Sequence, residues 1–384
     1  MDFSWTKEQL DYKQKVIEFA KANLDEQIAE RDRNCVFSRE AWEKCAAFGL
    51  LGLSVPKADG GLFEEVEFLT ATLAMESLGY ACRDNGLPFG LNAQMWTVQY
   101  PIVQFGSEAQ KQKFLPNLIG GKWIGCHALT EPEAGSDVYN MQTRAKKVEG
   151  GYILNGSKQY VTFAPIADVV LVFANVNPEI GTFGITGFLV EKGMKGFTNG
   201  ENKVKMGLRT VPFGDLIFED CFVPEENRLS TEGSGWGITM HSLEYDRCNI
   251  LAGQLGAMQY QLEQTIAYVK KRKQFGKPVA QFQAVSNRIA NMKLRLETSR
   301  LLLYKLAWLN QNGKPATLES AMLKLLLSES FVESSMDAIR NHGGHGYITE
   351  NEIERNMRDA IGSVIYAGTS DIQRNIISDY ILDL

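Results

Sequence analysis

Cysteine pairing is what this 384-residue chain most plainly lacks. Its six cysteines, Cys35, Cys45, Cys82, Cys126, Cys221 and Cys248, are widely spaced and form no Cys-x-x-Cys pair. That excludes a disulfide scaffold and a thiolate zinc site, and it fits a reducing compartment. Histidine is scarce as well: His127, His241, His342 and His345 show no ligand spacing, so no metal site is expected. Positive charge is not in excess, since 40 Lys+Arg against 46 Asp+Glu leave a net charge of −6. That balance argues against a general nucleic-acid binder and points to small-molecule or protein partners. Uninterrupted apolar runs of membrane-spanning length are missing, and residues 1–8 lack the basic and apolar regions of a signal peptide. The expectation is a cytoplasmic protein with no membrane or nucleic-acid partner. Internal repeats and low-complexity segments are also absent.

What is present is ample core material, 44% hydrophobic residues, arranged in three textures. Residues 1–123 show apolar residues at three- and four-residue spacing, as in Leu10, Val16, Ile17, Phe19 and Ala20, which predicts helices. Ser107 before Glu108 has the form of a helix N-cap. Residues 124–228 alternate strand-like runs (Tyr152-Ile153-Leu154, Val169 to Phe173, Gly187 to Val190) with turn signals at Gly150-Gly151, Asn155-Gly156 and Asn199-Gly200. Short strands so closely spaced suggest a small β-barrel, with Val223 to Asn227 as its exit. Residues 229–384 return to helical periodicity, with long helices expected over 281–310 and 318–340. The fold class is therefore α+β, in the order α-bundle, β-barrel, α-bundle.

Five short segments carry polar and glycine residues in patterns that the core does not need. They are Leu129-Thr130-Glu131-Pro132 leading to Gly135-Ser136-Asp137; Lys158-Gln159-Tyr160-Val161-Thr162; Arg272-Lys273-Gln274-Phe275-Gly276, with Gln283 nearby; Arg340 with Gly343-Gly344-His345-Gly346-Tyr347; and Tyr366-Ala367-Gly368-Thr369-Ser370-Asp371. Each alone has a structural explanation: a capped turn, a strand, a basic last turn facing the helix dipole, or a C-cap glycine. Together, in this order, the chain resembles the acyl-CoA dehydrogenase family of flavoproteins over essentially its whole length.

That resemblance implies an N-terminal α-bundle, a middle β-barrel and a C-terminal four-helix bundle. It also implies FAD clamped between the subunits of a homotetramer. By the same resemblance, Leu129, Thr130, Tyr160 and Thr162 meet the flavin ring, with Gly135 and Ser136 beside them. Arg272, Gln274, Phe275, Gln283, Arg340, Gly343 and Gly344 serve the pyrophosphate and adenine side of a neighbouring subunit's FAD, and Thr369 and Asp371 make the last contacts. Arg340 stands where the family usually carries glutamine.

The family's usual base, a glutamate before Gly-Thr-Ser, is Ala367 here. Some relatives, the isovaleryl-CoA type among them, place the base on the helix that opens the C-terminal domain, just before an arginine. This chain has Leu243-Glu244-Tyr245-Asp246-Arg247 there. Ungapped matching selects Asp246. Helix spacing favours Glu244, which lies i,i+3 from Arg247 and has the longer reach. Glu244 is the expected base, Asp246 its rival, and Arg247 an orienting or substrate-binding group. The same combination is similar to carrier-protein-tethered prolyl dehydrogenases and oxidases. It implies oxidation of an L-prolyl thioester on an acyl or peptidyl carrier protein, with O2 or an electron-transfer flavoprotein as acceptor. A short- or branched-chain acyl-CoA dehydrogenase and a non-catalytic flavin-binding assembly protein are the competing readings.

Overall fold

The structure, a computed structural model, describes residues 4–24 and 26–384; residues 1–3, part of the N-terminal segment read above, and Asp25 lie outside it. Seven helices come first: α1 (Lys7–Asn23), α2 (Ile28–Asn34), α3 (Arg39–Phe48), α4 (Phe68–Ala81), α5 (Gly86–Gln94), α6 (Tyr100–Phe105) and α7 (Glu108–Ile119). Thr6 and Ser107 open α1 and α7 with reciprocal capping boxes to Gln9 and Gln110, so orphan N–H groups at both ends are satisfied. The expected N-cap at Ser107 is thus where the helix begins. Val16 and Ala20 are buried as the spacing predicts, whereas Leu10 is exposed. Helix α4 is buried on nearly every face. Between α5 and α6 the chain passes through a π-helical turn, Met95–Gln99.

The middle domain is an eight-stranded sheet of β1 (Gly125–Ala128), β2 (Arg144–Val148), β3 (Gly151–Thr162), β4 (Val169–Asn175), β5 (Ile185–Glu191), β6 (Phe197–Asn199), β7 (Phe213–Pro224) and β8 (Arg228–Leu229). Its order is β6-β7-β3-β2-β4-β5-β8, with β1 added parallel to β4. Every residue of β4 is buried, which explains its continuous apolar sequence. Gly150-Gly151 turns β2 into β3, but Asn155-Gly156 is not a turn. It lies inside β3 at a register shift against β7, and a Cβ on Gly156 would lie 2.6 Å from the Thr143 hydroxyl. Close backbone approach at a bulge, rather than chain reversal, is what that glycine serves.

The last third holds α8 (Gly235–Lys271), the hairpin β9 (Lys273–Gln274) and β10 (Lys277–Pro278), then α9 (Gln283–Gln311), α10 (Thr317–His342), α11 (Gly344–Tyr347), α12 (Ile353–Ser363) and α13 (Ser370–Leu382). Helix α10 packs on α8, α9, α12 and α13, and α8 also packs on α4. A Cβ on Gly79 would come within 1.9 Å of the Gly253 carbonyl oxygen, so α4 and α8 touch backbone to backbone. That contact locks the first bundle to the last, with the sheet beside the front half of α8. Among the described residues, no helix is long and apolar enough to cross a membrane.

Candidate active site

A cavity of about 140 Å³ opens where α5 and its π turn, β1, the end of β3, α8 and the turn before α13 converge. Phe89 and Ala93 of α5 and Thr97 of the π turn form one wall. A π turn shifts the register of the side chains that follow it, and such turns recur at functional sites. From α8 come Leu243, Asp246 and Ile250, spaced i, i+3 and i+7 and so on one helix face. Tyr366 and Ala367 close the opposite side.

Asp246 is 3% exposed, and no hydrogen bond within the described chain reaches its buried Oδ1. Burial pushes its carboxyl up to about 7, against the opposing pull of Arg247 and Lys324. A carboxyl in this state accepts a proton near neutral pH and has no competing partner. Glu244 lies two residues earlier on α8 and is not on the cavity wall. Its Oε2 accepts from the Thr317 hydroxyl at 3.4 Å, and burial raises its pKa. It also sits well inside α8 rather than in the first turn, so helix-dipole stabilisation does not account for it. Arg247 is buried and donates from Nε to the Ala367 carbonyl at 3.2 Å. Gln373 donates to the carbonyls of both Ala367 and Gly368. Ala367 and Gly368 have φ of 53° and 89°, so the turn that replaces the usual base is held in a left-handed conformation by those two side chains.

Beside the cavity lies a surface suited to a flat, polar-edged group. Tyr160 sits at a second register shift of β3 with φ of 60°, is 57% exposed, and stacks on Phe213 at 6.0 Å and 14°. The bulge re-aims this ring outward. No hydrogen bond within the described chain engages the hydroxyls of Thr130, Ser136 or Thr162, and a Cβ on Gly135 would meet nothing within 4 Å. Beneath, the fully buried Lys158 Nζ lies 2.7 Å from Glu131 Oε1 and 3.0 Å from the Leu129 carbonyl. Thr143 N–H also donates to Glu131. Burial lowers Lys158 to about 8 against Glu131's opposing pull; Glu131 itself lies below its ordinary value, because Lys158 and these donors outweigh its burial. The pair fixes the Leu129-Thr130 segment on β3. These residues fit FAD: open hydroxyls for a ring edge, an exposed aromatic face and a glycine with free space.

The other expected contacts are not on this cavity's wall and, except for the half-buried Thr369, are exposed. Phe275 and Gly276 are the two central residues of the β9–β10 turn, with φ of 51° and 77°, and Phe275 is 93% exposed. Arg272 ends α8, the Gln274 side chain bonds its neighbour's carbonyl, and Gln283 opens α9, all on the surface. Arg340 lies 3.6 Å from Asp337 at the end of α10, where Gly343 takes φ of 60° and Gly344 follows in open space. The Thr369 hydroxyl caps α13 by accepting from Ile372 N–H, and Asp371 pairs with Arg374 at the surface.

Sequence reasoning missed Phe89, Thr97, Cys126 and His127, which line the cavity. For His127 a signal existed: strand alternation sets it on the face of β1 that Gly125 shares. For Thr97 there was none, because a π turn leaves no mark in hydrophobic periodicity. Among the described residues no His/Cys/Asp/Glu cluster is suited to a metal ion.

Models of the Acyl-CoA dehydrogenase N-terminal, middle and C-terminal domains match residues 6–122, 126–221 and 233–382. The chain is 42% identical over 378 residues to a Serratia sp. (strain ATCC 39006) L-prolyl-peptidyl-carrier-protein dehydrogenase, covering 98% of this chain and 97% of that one. It is similar to the crystal structure of the prolyl acyl carrier protein oxidase AnaB, at 44% identity and TM-score 0.96 over 98% of this chain and 100% of the other. A structure of PigA with FAD and proline is 41% identical, with TM-score 0.96 over 99% of both chains.

Proposed function

Because the chain belongs to the acyl-CoA dehydrogenase family, we propose that it is an FAD-dependent oxidase or dehydrogenase of L-prolyl thioesters carried on an acyl or peptidyl carrier protein. FAD, when bound, supplies the acceptor for the hydride from the ring carbon next to Cα. Thr130 and Thr162 would bond the edge of its ring system, Tyr160 would flank it, and Gly135 and Ser136 would meet its phosphates. Asp246 takes the Cα proton. Loss of that proton and of the hydride leaves a dehydroprolyl thioester, which tautomerises to a 1-pyrroline-carboxyl thioester. Arg247 positions the Ala367 turn and adds a positive charge that favours the ionised base.

The observation that carries this reading is the unpartnered Asp246 carboxyl in a cavity whose usual base position is filled by Ala367. Its cavity-facing position favours Asp246 over Glu244, whose carboxylate is engaged with Thr317. The exposed Phe275, set in a strained turn far from the cavity, supports a site completed by a second subunit, in a homotetramer. Reduced flavin would pass electrons to O2 or to an electron-transfer flavoprotein, and the cytoplasm fits a carrier-protein substrate.

The test is anaerobic bleaching of the flavin by prolyl carrier protein and, separately, by a panel of acyl-CoAs. Bleaching by the prolyl thioester is expected; bleaching by acyl-CoAs alone would assign a short- or branched-chain acyl-CoA dehydrogenase instead, and none by either would leave a non-catalytic flavoprotein. Asp246→Asn is expected to slow the reduction by about a thousandfold or more, and Glu244→Gln by less than about tenfold. The reverse order would return the base to Glu244.

A further inference from the structure

Besides Asp246 and Thr162, His127 is a polar side chain on the cavity wall without a partner in the described chain. It stands on β1, its ring 5.2 Å from that of Phe173. Neither ring nitrogen finds a hydrogen-bond partner among the described residues, and Nε2 is sealed from solvent. Burial, reinforced by the nearby Lys158 charge, lowers its pKa to about 4, so the imidazole is neutral at physiological pH. A neutral imidazole has one nitrogen that donates and one that accepts.

Buried polar groups without partners are rare, because each forfeits its hydrogen bonds to water. Here two residues that carry such groups, Asp246 from α8 and His127 from β1, line one small cavity whose other walls are largely apolar. A simple acyl chain brings a Cα proton for Asp246 and nothing for His127. A cyclic α-amino acyl group brings both a Cα proton and a ring N–H.

We propose that His127 selects α-amino acyl thioesters by accepting a hydrogen bond from the ring nitrogen of the tethered substrate. The proposal rests on the prolyl reading above. The neutral ring suits this role because the substrate amine carries a proton: an imidazolium would repel it, whereas an imidazole receives it. Asp246 and His127 then hold the five-membered ring at two points, which fixes the face from which the Cα proton leaves.

The experiment compares two thioesters on the same carrier protein, L-prolyl and cyclopentanecarbonyl, which differ in the ring nitrogen. Flavin bleaching by each is measured in wild-type holoenzyme, His127→Phe and His127→Gln. The prolyl-to-cyclopentanecarbonyl rate ratio is expected to fall roughly 10- to 100-fold in His127→Phe. Glutamine, which keeps an acceptor, is expected to recover part of it; His127→Leu replaces the phenylalanine variant if that one fails to retain flavin. An unchanged ratio overturns the proposal. If wild type is reduced by neither thioester, the substrate reading fails on its own. Perturbation of the flavin spectrum by L-prolinamide and by cyclopentanecarboxamide then decides the role of His127: a preference for the amine that vanishes in His127→Phe upholds it, and equal binding overturns it.

Discussion

At Asp246, the base proposed above, burial shifts the carboxyl in the direction that general-base chemistry needs. Its ordinary pKa of 3.8 rises to about 7, so the folded state binds the proton more tightly than the unfolded chain. Stability contributed by the neutral form is therefore complete below the unfolded pKa and lost as pH climbs through about 7, while the ionised form, the proposed base, appears over the same interval. We expect kcat/KM to rise with pH through an apparent pKa near 7, and Asp246→Asn to raise thermal stability at pH 8 by about 1–3 kcal/mol while abolishing turnover. Scanning calorimetry at pH 5 and pH 8 checks the second part; an equal effect at both would mean that the carboxyl is not titrating there. The opposite sign holds for Glu131, whose pKa is depressed by Lys158 and backbone donors. Its contribution is present above the unfolded pKa and fades as pH falls through the folded one. Lys158→Met leaves that carboxylate buried and uncompensated, which should cost about 3–5 kcal/mol. It should also raise the dissociation constant for FAD, measured by fluorescence titration, because Leu129-Thr130 loses its anchor.

Among the elements, the β9–β10 hairpin spends stability on display. A two-residue turn with positive φ at both positions favours Asn-Gly, yet Phe275 occupies the first place and projects almost wholly into solvent. Phe275→Asn should stabilise the flavin-free chain by about 1 kcal/mol in urea unfolding, while weakening flavin retention during gel filtration. Equal retention would mean that the ring has no partner. The hairpin was legible as a motif in sequence but its turn was not, since nothing in Gln274-Phe275-Gly276 announces a strained phenylalanine. Helices α9 and α10 were legible to within about two residues, because unbroken apolar spacing and flanking breakers fix long helices well. The candidate base shows the opposite case. Leu243, Asp246 and Ile250 share the cavity face, a pattern that was open to reading, but the Glu244–Arg247 spacing competed with it and the partner of Glu244 lies on α10, far away in sequence. Asn155-Gly156 misled for a related reason: the same dipeptide serves turns and bulges, and only the Thr143 neighbour decides between them.

Across the whole molecule, buried carboxylates tie the domains together. Asp84 receives Arg31 from α2 and the Thr210 hydroxyl from the segment before β7. Asp32 of α2 pairs with Arg358 of α12 at 2.6 Å, and Asp359 accepts from Leu208 N–H and Asn85. The three thirds of the chain, distinct in sequence texture, therefore meet in polar contacts that texture does not reveal. Arg358→Leu leaves Asp32 unpaired at that junction and should cost about 2–4 kcal/mol, lowering the calorimetric melting temperature as one transition. Separate transitions would show that the domains unfold independently. The turn that presents Ala367 carries a historical implication. Ala367 and Asp246 line the same cavity, so a glutamate restored at 367 would set a second carboxyl near Asp246; the two would titrate as a pair, with one pKa driven further up. On the proposed reading, the move of the base from residue 367 to residue 246 therefore goes with loss of the carboxylate at 367, which leaves Asp246 to titrate alone.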